Sequence, residues 1–309
     1  MRVVFSLTRV VAALFVIIAA ASGFLVWLLH DAGAMQHRIS GVEGDPDRGA
    51  YLARLAGCVA CHTNSEAGGP FLGGGGPIVT VYGTFYAPNI TSDVNFGIGA
   101  WTLEQFATAV IAGRTPDGRH YYPVFPYQSY RTFGDQDIAD LWAALRTVTP
   151  AQTEVADHRL KISLIDRRLV GVWRKLAALG AALGVRSDPA PLVDRGAYIA
   201  LGPGLCAQCH GPRTLLGGAA AAHLLEGAGS NAVPGKAPSL AATDLSRRGW
   251  TARTLSESLR TGRGLDGAGF RAPMDRIVET STAFLRDDDR EALVRYLLNA
   301  GSPSPAQAN

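Results

Sequence analysis

An internal duplication limits the fold of this 309-residue chain more than any other feature of its sequence. Three segments recur in the same order and at nearly the same spacing. They are RGAYLA at 48–53 and RGAYIA at 195–200, CVACH at 58–62 and CAQCH at 206–210, and a Trp-Thr pair at 101–102 and 250–251. Matches that persist along the chain in this way indicate that one domain was duplicated. Each copy must therefore fold around its own Cys-x-x-Cys-His motif.

The Cys-x-x-Cys-His motif is the attachment sequence of c-type haem. Two thiols at this spacing can each form a thioether with one vinyl group, and the adjacent histidine then lies beneath the iron as an axial ligand. A zinc site would need four converging ligands, and a thioredoxin-like dithiol would not use the histidine. We therefore predict two covalently bound haem c groups. The cysteines are Cys58, Cys61, Cys206 and Cys209, and the axial histidines are His62 and His210.

The second axial ligand differs between the copies. Of the three methionines, only Met274 lies within a copy, and we predict that its sulfur binds the second iron. Ligation by histidine and methionine raises the reduction potential of a haem. The matching position in the first copy is Phe125, and the nearest candidate ligand for the first iron is His120. His120 is predicted to bind that iron; the alternative is a loop or propionate contact, with the iron left open.

Two prolines occupy matching places downstream of the motifs, Pro88 in the first copy and Pro238 in the second. A metal-binding histidine usually donates its other ring N–H to an acceptor, often a backbone carbonyl. We predict that the carbonyls of Pro88 and Pro238 accept these hydrogen bonds from the two motif histidines. The alternative is that both are ordinary loop prolines.

The N-terminal segment sets the compartment. Arg2 and Arg9 precede an uncharged apolar run from Val10 to Leu29, and about 20 helical residues span the ~30 Å core of a bilayer. The basic flank stays cytoplasmic by the positive-inside rule. We therefore predict a single-pass anchor in the inner membrane, with both copies on the periplasmic side. The alternative is a signal peptide cleaved near residues 32–34.

Charge and pattern complete the predicted architecture. With 29 basic and 26 acidic residues the net charge is +3, which is too balanced for a nucleic-acid-binding protein. Apolar residues recur at helical spacing, and no segment of the copies alternates clearly enough to predict a strand. The predicted fold class is mainly α, a transmembrane helix followed by two class I cytochrome c domains. The segments are an anchor at 1–31, a flank at 32–44, domain 1 at 45–148, a linker at 149–190, domain 2 at 191–300 and a tail at 301–309.

Capping residues and apolar periodicity predict three helices in each copy. In the first copy they begin near Asp45, Thr102 and Asp135 or Asp137, and in the second copy they cover 194–201, 251–261 and 287–299. The linker between the copies is basic, with eight basic and three acidic residues over 146–186. Its alternation of apolar and basic residues predicts an amphipathic helix that lies on anionic lipid or docks a partner, or a helix packed between the domains.

Five segments of the first copy are similar to a known family. They are RGAYLA at 48–53, CVACHT at 58–63, NIT at 89–91, GIGAW at 97–101 and YPVFPY at 122–127. Through them, residues 48–148 resemble the first domain of the cytochrome c subunits of membrane-bound alcohol, aldehyde and gluconate dehydrogenases. Many members carry methionine at the position of Phe125, and members with phenylalanine often carry a histidine placed like His120. This chain has two motifs instead of the usual three, and an anchor in place of a cleaved signal.

The resemblance implies an electron-transfer subunit without catalytic residues of its own. Single electrons would come from a partner dehydrogenase and leave toward quinone or a terminal oxidase. Two other functions are compatible with the sequence. An open first iron would suit a haem enzyme or ligand sensor that the second haem supplies with electrons, and anchored dihaem cytochromes also serve as subunits of terminal oxidases.

Overall fold

The computed structural model describes residues 2–29, 37–161, 167–182, 194–213, 225–227 and 237–299. Within them the chain is mostly helical, with one short antiparallel sheet. Every predicted segment except domain 1 lies wholly or partly outside the described residues. These gaps are residues 1 and 30–31 of the anchor, 32–36 of the flank with the small-residue cleavage motif, 162–166 and 183–190 of the linker, 191–193, 214–224, 228–236 and 300 of domain 2, and the whole tail at 301–309.

The first helix, α1, covers Arg2–Leu29 and corresponds to the predicted anchor. Its residues Arg9–Leu28 are long and apolar enough to cross a membrane, and none of this stretch is buried against the rest of the protein. Phe15, for example, is 73% exposed. A continuous exposed apolar surface of this kind is costly in water and suited to lipid. The helix therefore supports a membrane anchor.

Helices surround the first motif. They are α2 (Pro46–Leu55), α3 (Cys58–His62), α4 (Leu103–Ala112), α5 (Tyr127–Tyr130) and α6 (Asp135–Thr147), with a 3-10 turn at Ser65–Ala67. The predicted helix starts are confirmed. Asp45 caps α2 and Pro46 is its first residue, Thr102 and Gln105 form the capping box of α4, and α6 begins at Asp135.

A small sheet corrects the prediction that the copies contain no strand. β1 (Pro77–Thr80) and β2 (Gly83–Tyr86) form a hairpin, and β3 (Arg159–Leu160) from the linker pairs antiparallel with β2. The strands are only four, four and two residues long, so they are too short for alternation to appear in the sequence. At the hairpin, Val79 is 70% and Val81 64% exposed.

In the described part of the linker, α7 covers Arg167–Ala182. The prediction of a helix in this basic stretch is confirmed, but the helix does not include the start of the alternating apolar and basic pattern, which runs from Leu160 to Val185 in the sequence. Leu160 belongs to β3 instead, because it pairs with Gly83 at the edge of the hairpin. Leu160 thus pairs with a segment distant in the chain instead of forming hydrogen bonds within a helix.

The second half repeats the arrangement of the first. Its helices are α8 (Arg195–Leu201), α9 (Cys206–His210), α10 (Ala242–Arg247), α11 (Ala252–Thr261), α12 (Met274–Thr280) and α13 (Asp287–Asn299), with a 3-10 turn at Thr282–Phe284. The three predicted helices are present. α8 and α11 begin one residue later than predicted, because Asp194 and Thr251 are their N-caps. α10 and α12 have six and seven residues, too few for a periodic signal.

The two halves have similar geometry because each contains a close helix crossing. α2 packs on α6, and α8 packs on α13. At the crossings, a Cβ on Gly49 would lie 1.8 Å from the Asp140 carbonyl oxygen, and a Cβ on Gly196 would lie 2.2 Å from that of Ala292. Any larger residue would push the helices apart, which explains why the repeated RGAY segment carries glycine at its second position.

The two halves share one core and a reciprocal polar interface. Tyr51 of α2 donates its hydroxyl to Asp289 Oδ2 of α13 at 2.6 Å, and the matching Tyr198 of α8 donates to Asp137 Oδ2 of α6 at 2.8 Å. Asp289 also pairs with Arg195 of its own half at 2.7 Å. Each half therefore supplies a tyrosine to an aspartate of the other.

Candidate haem-binding sites

The two motifs form short helices in corresponding places. Each follows a residue in the left-handed conformation, Gly57 at φ 72° before α3 and Leu205 at φ 56° before α9. The first and fourth residues of each helix are cysteines, and this spacing puts both thiols on one face. All four cysteines are free thiols. A Cβ on Gly57 would lie 3.5 Å from the Leu205 side chain, so the two motif helices begin next to each other.

Both motif histidines are held by the predicted proline carbonyls. His62 Nδ1 lies 2.6 Å from Pro88 O, and His210 Nδ1 lies 2.7 Å from Pro238 O. A carbonyl oxygen only accepts, so each Nδ1 carries the hydrogen and the neutral ring keeps its lone pair on Nε2. Burial lowers the pKa of both histidines and outweighs the opposite effect of the carbonyl. A neutral imidazole with Nε2 available is the form that binds a metal.

The environment of the thiols distinguishes between the possible uses of the motif. Burial raises the pKa of Cys58 and of Cys206 to about 12, whereas a reactive dithiol has a lowered pKa. Among the residues that the structure describes, no three His, Cys, Asp or Glu side chains form a cluster that could hold a metal ion. Two neutral thiols beside an imidazole with Nε2 available fit covalently attached haem better than a redox dithiol or a zinc site.

The structure places Met274 and Phe125 at matching positions. The amide of Phe125 donates to Tyr122 O at 3.0 Å, and the amide of Met274 donates to Arg271 O at 2.9 Å, so each residue closes the same turn. Phe125 packs against Tyr130 with 5.6 Å between ring centroids. Met274 is partly buried at the start of α12, a helix that also contacts α3 of the first half.

His120 is buried in an environment unlike that of the motif histidines, with 6% of its surface exposed. Arg174 Nη1 of α7 lies 2.9 Å from its Nδ1. A guanidinium only donates, so Nδ1 accepts and the neutral ring carries its hydrogen on Nε2. A Cβ on Gly171 of α7 would lie 2.7 Å from that Nε2. Coordination of an iron by His120 Nε2 therefore requires α7 to move, and this ligation stays a prediction.

The second half has no counterpart of this histidine. His120 forms a bridge with Arg114, and the equivalent bridge in the second half joins Arg263 to Gly269. The first half thus combines histidine with phenylalanine at the two positions where the second half combines glycine with methionine. The two halves share the backbone bridge of this loop and differ in its candidate ligands.

Arg276 is a charged residue beside the first motif that sequence reasoning missed. It lies on α12, yet its Nη2 donates to the Thr63 carbonyl at 3.2 Å and its Nη1 lies 3.5 Å from Glu66. Burial raises the pKa of Cys61, and the charge of Arg276 opposes this rise. The matching residue in the first copy is Tyr127, so the repeat contains no signal that could have identified this contact.

A second missed feature is a matched pair of backbone hydrogen bonds that close the loop after each motif. The amide of Gly74 donates to His62 O at 2.9 Å, and the amide of Gly227 donates to His210 O at 2.7 Å. The sequences between motif and glycine differ in length and composition, so the repeat is not visible there. Both loops nevertheless return to the carbonyl of the motif histidine.

Comparison with known proteins finds c-type cytochromes. The chain is 35% identical over 285 residues to the Diheme cytochrome c-type protein of Cereibacter sphaeroides, covering 91% of this chain and 94% of that relative. It is 34% identical over 269 residues to the Gluconate 2-dehydrogenase cytochrome c subunit of Pantoea cypripedii, covering 84% of this chain and 60% of the relative. It is also 34% identical over 258 residues to the Alcohol dehydrogenase (quinone), cytochrome c subunit of Gluconobacter oxydans, covering 81% and 53%.

The chain thus covers almost all of the dihaem relative but only half to three fifths of the two dehydrogenase subunits. No protein-family model matches the chain. The matches confirm the resemblance to cytochrome c subunits of alcohol and gluconate dehydrogenases.

Proposed function

Because the chain belongs to the family of dihaem cytochromes c and cytochrome c subunits of alcohol and gluconate dehydrogenases, we propose that it is a membrane-anchored dihaem cytochrome c that relays single electrons. The donor is a partner dehydrogenase, and the acceptor is quinone or a terminal oxidase. The observation that carries the proposal is the pair of motif helices, each with a histidine whose Nδ1 is held by a proline carbonyl.

Membership of this family implies covalently bound haem c, and the dihaem relative supports two haems. The residues that would hold them are Cys58 and Cys61 with His62, and Cys206 and Cys209 with His210. Bound haem supplies a one-electron ferric–ferrous couple. The carbonyls of Pro88 and Pro238 orient the imidazoles so that Nε2 faces away from the hydrogen bond.

The two sites are expected to differ in reduction potential. In the second half, Met274 would be the other axial ligand, and a histidine–methionine pair raises the potential. The first half has Phe125 at that position, and its remaining candidate is His120. A bis-histidine iron would have a lower potential than the second haem. The charge of Arg276 acts beside the first motif.

The proposed location is the periplasmic face of the inner membrane. α1 would be the single-pass anchor, with Arg2 and Arg9 on the cytoplasmic side and both halves exported. The dehydrogenase subunits among the relatives support a dehydrogenase partner. The name of the alcohol dehydrogenase relative contains quinone, which supports quinone as the acceptor.

The experiment that tests the relay follows haem reduction. The full chain is purified from membranes together with its partners, and its haem is quantified as pyridine haemochrome. We expect two haems per chain, reduction by a substrate of the co-purifying dehydrogenase, and reoxidation by a quinone analogue. The double variant Cys206→Ala with Cys209→Ala should keep one haem. Haems that no co-purifying dehydrogenase reduces would refute the relay, and co-purification with an oxidase would indicate an oxidase subunit instead.

A second candidate function is favoured by the contact between Arg174 and His120. If His120 keeps this contact, the first iron is open and the protein is a haem enzyme or ligand sensor. Carbon monoxide binding to the dithionite-reduced full chain distinguishes the electron relay from a haem enzyme or ligand sensor. Uptake by neither haem supports the relay, and His120→Ala should then create a binding site. Uptake by half of the haem supports an open first iron.

A further inference from the structure

Two neighbouring side chains of α7 contact different parts of the protein. Arg174 contacts the first half near His120, and Lys175 contacts the end of α1. α7 carries four basic and no acidic residues. It is therefore the described element of the linker that connects the candidate membrane helix with the first haem-binding half.

The contact of Lys175 joins α7 to the end of the candidate membrane helix. Its Nζ donates to Trp27 O at 2.6 Å and to Leu28 O at 3.3 Å, and it lies 5.2 Å from the centroid of the Trp27 ring. These carbonyls belong to the last described turn of α1. They also end the apolar stretch Arg9–Leu28, and tryptophan is typical of the membrane–water interface. A membrane-spanning α1 would therefore place Lys175 at the level of the lipid headgroups.

The contacts of Arg174 attach the same helix to the first half. Its guanidinium donates to Ala112 O at 2.9 Å and to Gly113 O at 3.3 Å, at the end of α4. It also lies 4.2 Å above the Tyr127 ring and 2.9 Å from His120 Nδ1. Arg174 thus donates hydrogen bonds to carbonyls at the end of α4, as Lys175 does at the end of α1.

A glycine allows α7 to approach this closely. A Cβ on Gly171, one turn before Arg174, would lie 2.7 Å from His120 Nε2 and 3.0 Å from Cδ2. A larger residue would displace α7 from the His120 ring. At the start of the helix, Leu169 is 50% exposed and Arg167 lies 5.4 Å from the Tyr122 ring centroid.

We propose that α7 holds the first half in one orientation relative to the membrane, because Lys175 joins it to the end of α1 and Arg174 joins it to the end of α4. This inference rests on the proposed anchoring by α1.

The test measures the orientation of the haems relative to the bilayer. The full haem-loaded chain is reconstituted into vesicles of phosphatidylcholine and phosphatidylglycerol, the membranes are aligned, and linear dichroism of the haem bands is recorded. We expect strong dichroism for the wild-type chain. Lys175→Gln and Arg174→Gln should each lose about half or more of it, since a linker without fixed contacts behaves as a flexible chain.

Lys161→Gln is the matched control, because it removes the same charge from an exposed position of the same linker, and its dichroism should equal that of the wild-type chain. Pyridine haemochrome must show unchanged haem content in all variants. Dichroism that persists in Lys175→Gln and Arg174→Gln would overturn the inference, as would weak dichroism of a wild-type chain that floats with the vesicles. A wild-type chain that fails to float would instead refute the anchoring by α1.

Discussion

Removal of the hydroxyl groups of Tyr51 and Tyr198 tests whether the two halves unfold as one cooperative unit. Both hydroxyls cross the interface, to Asp289 at 2.6 Å and to Asp137 at 2.8 Å. A hydrogen bond to a charged group contributes about 1.5–3 kcal/mol. Tyr51 is partly buried and Tyr198 only 9% exposed. We therefore expect Tyr51→Phe to cost about 1.5 kcal/mol and Tyr198→Phe up to about 3 kcal/mol of unfolding free energy.

The loss stays in this range because neither aspartate is left without a cation. Asp289 keeps its two bonds from Arg195, both at 2.7 Å, and Asp137 keeps its pair with Arg48. A larger loss would arise only if a buried charge lost its partner. Arg195 pairs with Asp289 and also lies 5.0 Å from the Tyr198 ring centroid, so it links the two sites. The sum of the single losses is about 3–5 kcal/mol, and we expect the double variant to depart from this sum by about 0.5 kcal/mol or more.

The assay is guanidinium chloride unfolding of the haem-loaded full chain in detergent, followed by the Soret band and by far-ultraviolet circular dichroism. The double variant should separate one transition into two, because the contacts between the halves are weakened. Tyr82→Phe is the matched control, since it removes the same atom from a side chain that is 61% exposed. Single variants that unfold within about 0.5 kcal/mol of this control would refute the reasoning.

Three further predictions concern the haem sites and acid stability. Met274→Leu should lower the potential of the second haem and abolish the methionine–iron charge-transfer band, measured by spectroelectrochemical titration; an unchanged potential contradicts this ligation. Arg276→Gln should lower the potential of the first haem in the same titration, because a nearby cation disfavours the more positive ferric form, whereas Arg276→Lys should preserve it. Burial raises the pKa of Asp289, but hydrogen bonds from Arg195 and Tyr51 outweigh burial, so its pKa lies below the ordinary value. The lowered pKa of Asp289 stabilises the folded state above the unfolded pKa of about 3.9, and this stabilisation is lost as the pH falls through the folded pKa. In acid unfolding curves, the stability of Asp289→Asn should therefore fall less over this pH range than that of the wild-type chain.

The helices of both halves were largely predictable because their signals are local. Proline after Asp45 and the capping box at Thr102 determine where α2 and α4 begin, and both signals lie within one turn of the helix. The hairpin was not predictable, since β1 and β2 are short and β3 comes from a distant part of the linker. A pairing between such segments has no periodic pattern of its own.

In the candidate sites, too, local features were predictable from the sequence and contacts between distant segments were not. The motif cysteines and histidines, and the prolines that hold His62 and His210, follow from spacing and from the repeat. His120 followed from its position alone, and the sequence does not reveal that Arg174 and Gly171 cover its ring. Those contacts come from a helix more than fifty residues away in the chain.

The sequence by itself determined the two Cys-x-x-Cys-His motifs, the apolar N-terminal run and the capped helices, because each consists of residues close together in the chain. The repeat is visible because whole local segments of this kind recur. Only the tertiary structure revealed three sets of contacts. They are the hydrogen bonds that Tyr51 and Tyr198 donate across the interface between the halves, the hydrogen bond from Arg276 to the first motif, and the contacts of α7 with both α1 and the first half. These contacts depend on how the two halves and the linker pack. Residues far apart in the chain come within hydrogen-bond distance only once the helices that carry them are packed together, so no local sequence pattern predicts them.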